Sequence, residues 1–135
     1  MHKVFKLKIN MIGNNEAKPI MFKVKKYLED NYYNVVNFGH YSNYVIDAIL
    51  FSKIIKLTNK HNIGFLFCNN AENLASVIDQ DVIHTIVKKN NYLKKSTYNS
   101  SKILIFSLNK FSYDEIIKAI NFYLNLFIEN NELFF

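Results

Sequence analysis

The chain has 135 residues, of which 50% are hydrophobic and 16% aromatic, a composition that excludes an intrinsically disordered protein. This is the length of one domain, so we expect a single domain over residues 1–135. The formal net charge of +6 comes from lysine alone, because the sequence contains no arginine, and the lysines are scattered singly and in pairs. That scatter does not predict a nucleic-acid-binding surface.

The cysteine count and the lengths of the apolar runs indicate the cellular compartment of the protein. The single cysteine, Cys68, excludes an intramolecular disulfide and is typical of a reducing compartment. No apolar run approaches the ~20 residues that span a bilayer, and the first residues carry no apolar signal core. We therefore expect a soluble cytoplasmic protein without membrane contact. No cluster of histidine, cysteine or acidic residues has metal-ligand spacing, so we expect no metal and no other cofactor.

Strand and helix patterns alternate along the whole chain. The predicted strands are residues 4–12, 34–38, 64–68, 82–87 and 103–106. The first two are expected to end at Gly13 and Gly39, and the unbroken apolar run 64–68 is typical of a central strand buried on both faces. The alternation predicts an α/β fold, a three-layer αβα Rossmann-like sandwich with a mostly parallel five-stranded sheet and right-handed crossovers.

Each predicted helix has a start signal and an apolar stripe. Pro19 stands at the first position of one helix, Asp47 opens the next, and Asn69 with Asn70 can cap a third. A short polar helix is expected within residues 88–98, and Ser112 to Glu115 has the spacing of a capping box. The stripes predicted to be buried are Met21, Val24, Tyr27 and Leu28; Leu50, Phe51, Ile54 and Ile55; Ala71, Leu74, Ala75 and Ile78; and Ile116, Ile117, Ile120, Tyr123, Leu124 and Phe127.

The carboxyl ends of the predicted strands are the places where open parallel sheets bind ligands. The loops concerned are residues 13–18, 39–44, 68–73 and 88–91. Cys68 ends the central strand and precedes a predicted helix, whose dipole would lower the thiol's pKa and favour the thiolate. The alternative interpretation is that a lone cysteine in an apolar strand is a small buried hydrophobic side chain.

Four segments near these strand ends follow one another in a characteristic order. Residues 12–17 (IGNNEA) stand where G-x-D-H-x-G would follow a first strand, and residues 35–42 (VVNFGHYS) where V-[VI]-D-x-G-x-x-S would follow. Residues 64–73 (GFLFCNNAEN) compare with G-I-L-I-C-G-T-G-x-G, and residues 98–107 (YNSSKILIFS) with H-N-x-x-N-V-L-x-x-G. In this order and spacing the chain resembles the family of ribose-5-phosphate isomerase B and galactose-6-phosphate isomerase.

The resemblance implies an aldose–ketose isomerase of the pentose phosphate type, which moves a proton between C1 and C2 of a phosphorylated sugar through an enediolate. Cys68 stands where the family has its catalytic base, and Asn70 where it has a threonine. The substrate-binding positions that correspond here are Asn15, Glu16, Ser42, Asn69, Asn73 and Asn99. The resemblance also implies a homodimer or a heteromer with a paralogue, and the apolar residues at 126–135 suit such a contact.

Several groups that this catalysis needs are missing. The family's Asp-His pair is Asn15-Glu16 here, and its glycine-rich loop is residues 69–73 (NNAEN), with a carboxylate at Glu72. Phosphate-binding arginines are absent, and lysines take their place or form a solvated helix face. Those lysines are Lys88, Lys89, Lys94 and Lys95. For His40 and His84 we expect structural or surface roles.

Three functions therefore stay open. The chain is a working isomerase with Cys68 as base, or a non-catalytic homologue that binds a ligand or serves as a structural or regulatory subunit beside an active paralogue. The third possibility is an unrelated flavodoxin-like module for a nucleotide or a partner protein. The sequence has neither G-x-G-x-x-G nor a P-loop, which counts against the third.

Overall fold

The computed structural model describes residues 8–58, 62–69, 103–108 and 111–129. Its strands are β1 (Lys8–Asn14), β2 (Asn34–Tyr41), β3 (Asn62–Cys68) and β4 (Ile103–Ser107). Its helices are α1 (Lys18–Asp30), α2 (Asp47–Leu57) and α3 (Tyr113–Glu129), and a 3₁₀ turn (Asn15–Ala17) joins β1 to α1.

The four strands form one parallel sheet in the order β2-β1-β3-β4. The predicted α/β class and parallel sheet are confirmed. The predicted strand 82–87 and the helices expected after Asn69 and within 88–98 lie outside the described residues. The five-strand count therefore stays a prediction.

Helices cover both faces of the sheet. Successive side chains of β3 alternate, with Phe65 and Phe67 packing among residues of α1 and α3, while Leu66 and Cys68 pack against α2. This alternation follows from the period of two in a strand, and it makes β3 apolar on both faces. The side chains that the three helices bury are Met21, Val24 and Leu28; Leu50, Phe51 and Ile54; and Ile116, Ala119, Ile120 and Leu124.

Most of the predicted helix signals are confirmed. The capping box forms, since the Glu115 backbone N–H donates to Ser112 Oγ at 3.3 Å and the Ser112 N–H donates to Glu115 Oε1 at 2.9 Å. Ile55 was wrongly predicted to be buried and is 42% exposed, because α2 buries only the stripe that faces the sheet. Over the ranges described, no helix combines the length and the apolar character needed to cross a membrane.

β1 and β2 run further than predicted. They end at Asn14 and Tyr41, so Gly13 and Gly39 lie inside strands and do not end them. Neither glycine has a positive φ, so no turn requires them. At Gly13 the reason is close packing, because a Cβ there would lie 2.6 Å from Sδ of Met21 in α1.

A buried amide ties the amino ends of the strands to the end of α2. Asn10 is fully buried, and its Nδ2 donates to the carbonyl oxygens of Ile63 at 3.0 Å and Leu57 at 3.4 Å. Its Oδ1 accepts from Asn37 Nδ2 at 2.6 Å. These bonds satisfy polar groups that would otherwise be costly to bury, and they set the height of α2 over the sheet.

The end of α1 suggests a test of backbone strain. The Tyr33 N–H donates to Leu28 O at 2.9 Å and the Tyr32 N–H to Glu29 O at 3.0 Å, the pattern of a Schellman motif. Tyr32 has φ 68°, a conformation that favours glycine, and its side chain is 57% exposed. We expect Tyr32→Gly to raise the free energy of unfolding by about 1 kcal/mol, measured by urea denaturation.

Asn31→Gly is the matched control, because Asn31 has φ −102° and donates through Nδ2 to Tyr27 O at 2.8 Å. Glycine relieves no strain at this position, so the control is expected to lose stability. A Tyr32→Gly variant that is no more stable than the wild type would contradict the strain argument.

Candidate functional site

Four residues form a row across the sheet at the carboxyl ends of its strands. Tyr41 pairs with Asn14, and Cys68 pairs with Ser107. The pair of Gly13 and Phe67 places Asn14 and Cys68, the next residues, at the same level. Asn14, Cys68 and Ser107 are fully buried and Tyr41 is partly buried. This row, Tyr41–Asn14–Cys68–Ser107, is the candidate site, on the face of the sheet that α2 covers.

Cys68 lies at the centre of this row as a protonated thiol. Its Sγ donates to Phe106 O at 3.6 Å. Burial raises the pKa of the thiol well above its usual range, and the negative charge of Asp47 raises it further. Hydrogen bonds from the Cys68 backbone and from Ser107 lower it only in part. The burial of Cys68 agrees with the alternative interpretation, a small buried side chain, and the expected lowering of its pKa was wrong, because loss of hydration raises it.

Asp47 is a functional candidate that the sequence analysis placed only at a helix start. It is the first residue of α2 and is 4% exposed, and its Oδ1 accepts the Asn69 backbone N–H at 3.3 Å. A carboxylate is favourable at a helix N-terminus, which explains how the charge is tolerated there. Its sequence signal was an acid at the start of the helix that follows β2. The carboxylate disfavours a second negative charge on Cys68.

Asn14 links three parts of the site. Its Oδ1 accepts the Ala17 N–H at 3.0 Å and so caps the 3₁₀ turn, while its Nδ2 donates to Asn69 Oδ1 at 2.8 Å. Asn14 is fully buried whereas Asn69 is exposed. Asn69, predicted to bind substrate, is therefore held beside Cys68 by β1 and by α2.

The other predicted substrate-binding residues in the described ranges lie directly after β1 and β2. Asn15 Oδ1 lies 3.1 Å from His40 Nδ1, the Glu16 N–H donates to Asn43 Oδ1 at 3.1 Å, and Ser42 Oγ accepts the Tyr44 N–H at 3.2 Å. All three predicted residues are exposed. Asn15 and Glu16 bond across to β2 and to the loop after it, Ser42 bonds within that loop, and none of these bonds reaches Cys68. The predicted positions Asn70, Asn73 and Asn99 lie outside the described residues.

Aromatic side chains pack on both faces of β2 near its carboxyl end. His40 packs near the rings of Phe22 and Phe38, with centroid distances of 6.4 and 6.2 Å, which agrees with the structural role expected for it. Lys53 of α2 lies over the ring of Tyr41 at 4.9 Å and brings a positive charge to this side of the row. In the part of the chain that the structure describes, no three histidine, cysteine or acidic residues group closely enough to hold a metal ion.

The arrangement of strands and helices is similar to that of a solved isomerase. Ribose-5-phosphate isomerase B from Giardia lamblia superposes with a TM-score of 0.62 over 89% of this chain and 95% of that one, at 9% sequence identity. An identity this low supports the fold relationship alone. Comparison with the sequence patterns of protein families gives no match, and neither does comparison with curated proteins.

The charge of Asp47 can be tested through the reactivity of Cys68. We expect native Cys68 to be alkylated slowly at pH 8, and Asp47→Asn to accelerate the reaction because the pKa of the thiol falls. A fall of one pKa unit would raise the thiolate fraction about tenfold. The measurement is the rate of iodoacetamide labelling followed by mass spectrometry.

Asp114→Asn removes an exposed acid from the first turn of α3 and is the matched control, since it lies on the other face of the sheet. We expect it to leave the labelling rate unchanged. Equal rates in the wild type and Asp47→Asn would contradict the role of Asp47.

The raised pKa of Cys68 also predicts a pH dependence of stability. Above about pH 8.5 the thiol ionises in the unfolded chain, while in the folded protein it keeps its proton. The free energy of unfolding therefore keeps the whole contribution of Cys68 below that pH and loses it progressively as pH rises. Relative to Cys68→Ala, the wild type should lose up to about 1.4 kcal/mol per pH unit above pH 8.5, measured by urea denaturation. Parallel curves for the two proteins would mean that the pKa of Cys68 is not raised.

Proposed function

We propose that the protein is a divergent relative of the ribose-5-phosphate isomerase B type that binds a phosphorylated sugar and does not isomerise it. The ligand lies beyond the carboxyl ends of β1 and β3, against the exposed Asn69 and the partly buried Tyr41 and outside the buried Asn14, Cys68 and Ser107. The protein acts as a binding or regulatory subunit, alone or paired with an active paralogue. The observation that carries the proposal is the burial of Cys68 as a protonated thiol beside Asp47.

Support for the ligand comes from the fold and from the polar row. The strand arrangement is similar to that of the Giardia lamblia enzyme, and open parallel sheets bind ligands at this edge. The edge offers the exposed amide of Asn69, the partly buried Tyr41 and the neighbouring Lys53, which suit the hydroxyl, carbonyl and phosphate oxygens of a sugar phosphate. The sugar itself is left open, with ribose 5-phosphate and a hexose 6-phosphate as the two classes.

Support for the absence of catalysis comes from the chemistry of the base. Isomerisation through an enediolate removes the proton from C2 of the aldose and returns a proton to C1, while the carbonyl moves from C1 to C2. The base must be ionised to take that proton, and its rate falls with the fraction of thiolate. A buried thiol beside a carboxylate supplies little thiolate at neutral pH.

The second candidate is a working aldose–ketose isomerase with Cys68 as base. The observation that favours it is the place of Cys68 at the carboxyl end of β3, level with Asn14 and Ser107. A substrate that brought a positive charge or excluded Asp47 would be needed to lower the pKa of the thiol. For that reason this candidate ranks second.

Calorimetry and exchange in D₂O distinguish the two candidates. We expect ribose 5-phosphate or galactose 6-phosphate to bind the wild type without incorporation of deuterium at C1 or C2, followed by NMR in the same samples. Cys68→Ala should bind as the wild type does, because no step uses the thiol. Deuterium incorporation that disappears in Cys68→Ala would overturn the proposal in favour of the isomerase.

A pair of asparagine variants locates the binding. Asn69→Ala should weaken binding, while Asn125→Ala, an exposed position on α3 at the other face, should not. Absence of binding for both sugar phosphates would show that the ligand class is wrong.

A further inference from the structure

The amide of Asn69 has an orientation that the structure dictates. The Ala17 backbone N–H can only donate, so the atom of Asn14 that faces it must be the oxygen Oδ1, at 3.0 Å. The other end of that amide is then Nδ2, a donor, so the atom of Asn69 that it meets at 2.8 Å must be Oδ1. The Ala17 N–H therefore fixes which end of the Asn14 amide is the oxygen, and through Asn14 it fixes the orientation of the Asn69 amide.

Asn69 is held at both its backbone and its side chain. Asp47 Oδ1 accepts its backbone N–H at 3.3 Å, and Asn14 occupies its Oδ1. The donor end, Nδ2, remains at the exposed edge next to Cys68, and no hydrogen bond from it forms among the described residues. A fixed donor at this edge selects a ligand atom that accepts.

We propose that Asn69 Nδ2 binds an oxygen of the ligand and that Asn14 is the positioning residue that gives the Asn69 amide this polarity. The inference rests on the proposed function, because the ligand is the phosphorylated sugar. The part of the sugar that contacts Asn69 Nδ2 is an uncharged carbonyl or hydroxyl oxygen.

The neighbouring charge argues for an uncharged oxygen. The buried carboxylate of Asp47 accepts from the same residue, and Glu16 adds a second carboxylate in the loop after β1. A phosphate dianion beside these groups would meet like charges, and water screens the buried Asp47 carboxylate poorly. The phosphate therefore lies away from Asn69, and the sugar end of the ligand lies against it.

Asn14→Asp tests the positioning role. An aspartate still accepts the Ala17 N–H, which keeps the cap of the 3₁₀ turn, but its second oxygen also accepts. When this aspartate is ionised, the Asn69 amide must rotate to donate to it, which turns Oδ1 towards the ligand. We expect the Kd for ribose 5-phosphate, measured by calorimetry, to rise about tenfold beyond that of the control variant.

Asn43→Asp is the control, because Asn43 Oδ1 accepts the Glu16 N–H and an aspartate keeps that bond. It makes the same change of amide to carboxylate near the same turn without touching Asn69. Equal Kd values in Asn14→Asp and Asn43→Asp would overturn the positioning role. Inorganic phosphate should bind the two variants equally, and selective loss of phosphate binding in Asn14→Asp would overturn the assignment to an uncharged oxygen.

Hydrogen exchange of the side-chain amides reads the orientation without any ligand. In the wild type, NMR should find slow exchange at Asn14 Nδ2 and fast exchange at Asn69 Nδ2, and in Asn14→Asp the Asn69 protons should become slow. Unchanged exchange at Asn69 would overturn the positioning role whatever the ligand. Failure of the wild type to bind any sugar phosphate would overturn the ligand assignment together with the proposed function, while the exchange data would still decide the role of Asn14.

Discussion

β1 and β3 pair in parallel at the centre of the sheet, from Lys8 opposite Asn62 to Gly13 opposite Phe67, and both strands are buried along nearly their whole length. Parallel strands place their carboxyl ends at the same edge, so this register brings Asn14 level with Cys68. That pairing brings Asn14 within hydrogen-bonding distance of Asn69, while the pairing of β3 with β4 places Ser107 beside Cys68. A shift of one residue would turn Asn14 and Cys68 to opposite faces.

The packing that stabilises this pairing also determines the chemistry of the edge. At the amino ends of the strands, Asn10 ties β3 to the end of α2, and Gly64 lets Ile54 approach so closely that a Cβ would lie 2.7 Å from it. With its far end held there, α2 places Asp47 beside Cys68. A single arrangement therefore provides a buried polar cluster and removes water from the thiol, which keeps it protonated.

The fold was accessible to sequence reasoning to a large extent. The apolar run 64–68 predicted the central strand, Pro19 predicted the start of α1 to within one residue, and Ser112 with Glu115 predicted the cap that forms before α3. The strand ends predicted at Gly13 and Gly39 were wrong, because a glycine that avoids a steric clash and one that makes a turn look alike in a sequence. The predicted burial of Ile55 was wrong, because an apolar stripe does not show how much of a helix the neighbouring sheet covers.

The candidate site was accessible only in part. Cys68 and Asn69 follow a recognisable buried strand, and both lie at the carboxyl edge where they were expected. Asn14, Asp47 and Ser107 carried no such signal, since an amide, a helix-starting acid and a strand-ending serine are common in surface loops. Their importance comes from meeting Asn69 or Cys68 across 22 to 55 residues of sequence.

The sequence by itself determined the class of fold and the order of its strands and helices, because periodicity, caps and glycine content act over a few neighbouring residues. Only the tertiary structure decided the ionisation of Cys68 and the orientation of the Asn69 amide. Both depend on groups contributed by separate strands and helices, and on the exclusion of water where those elements pack together. The hydration of a side chain and the direction of its hydrogen bonds depend on residues that are distant in sequence, so a local pattern of residues does not predict them.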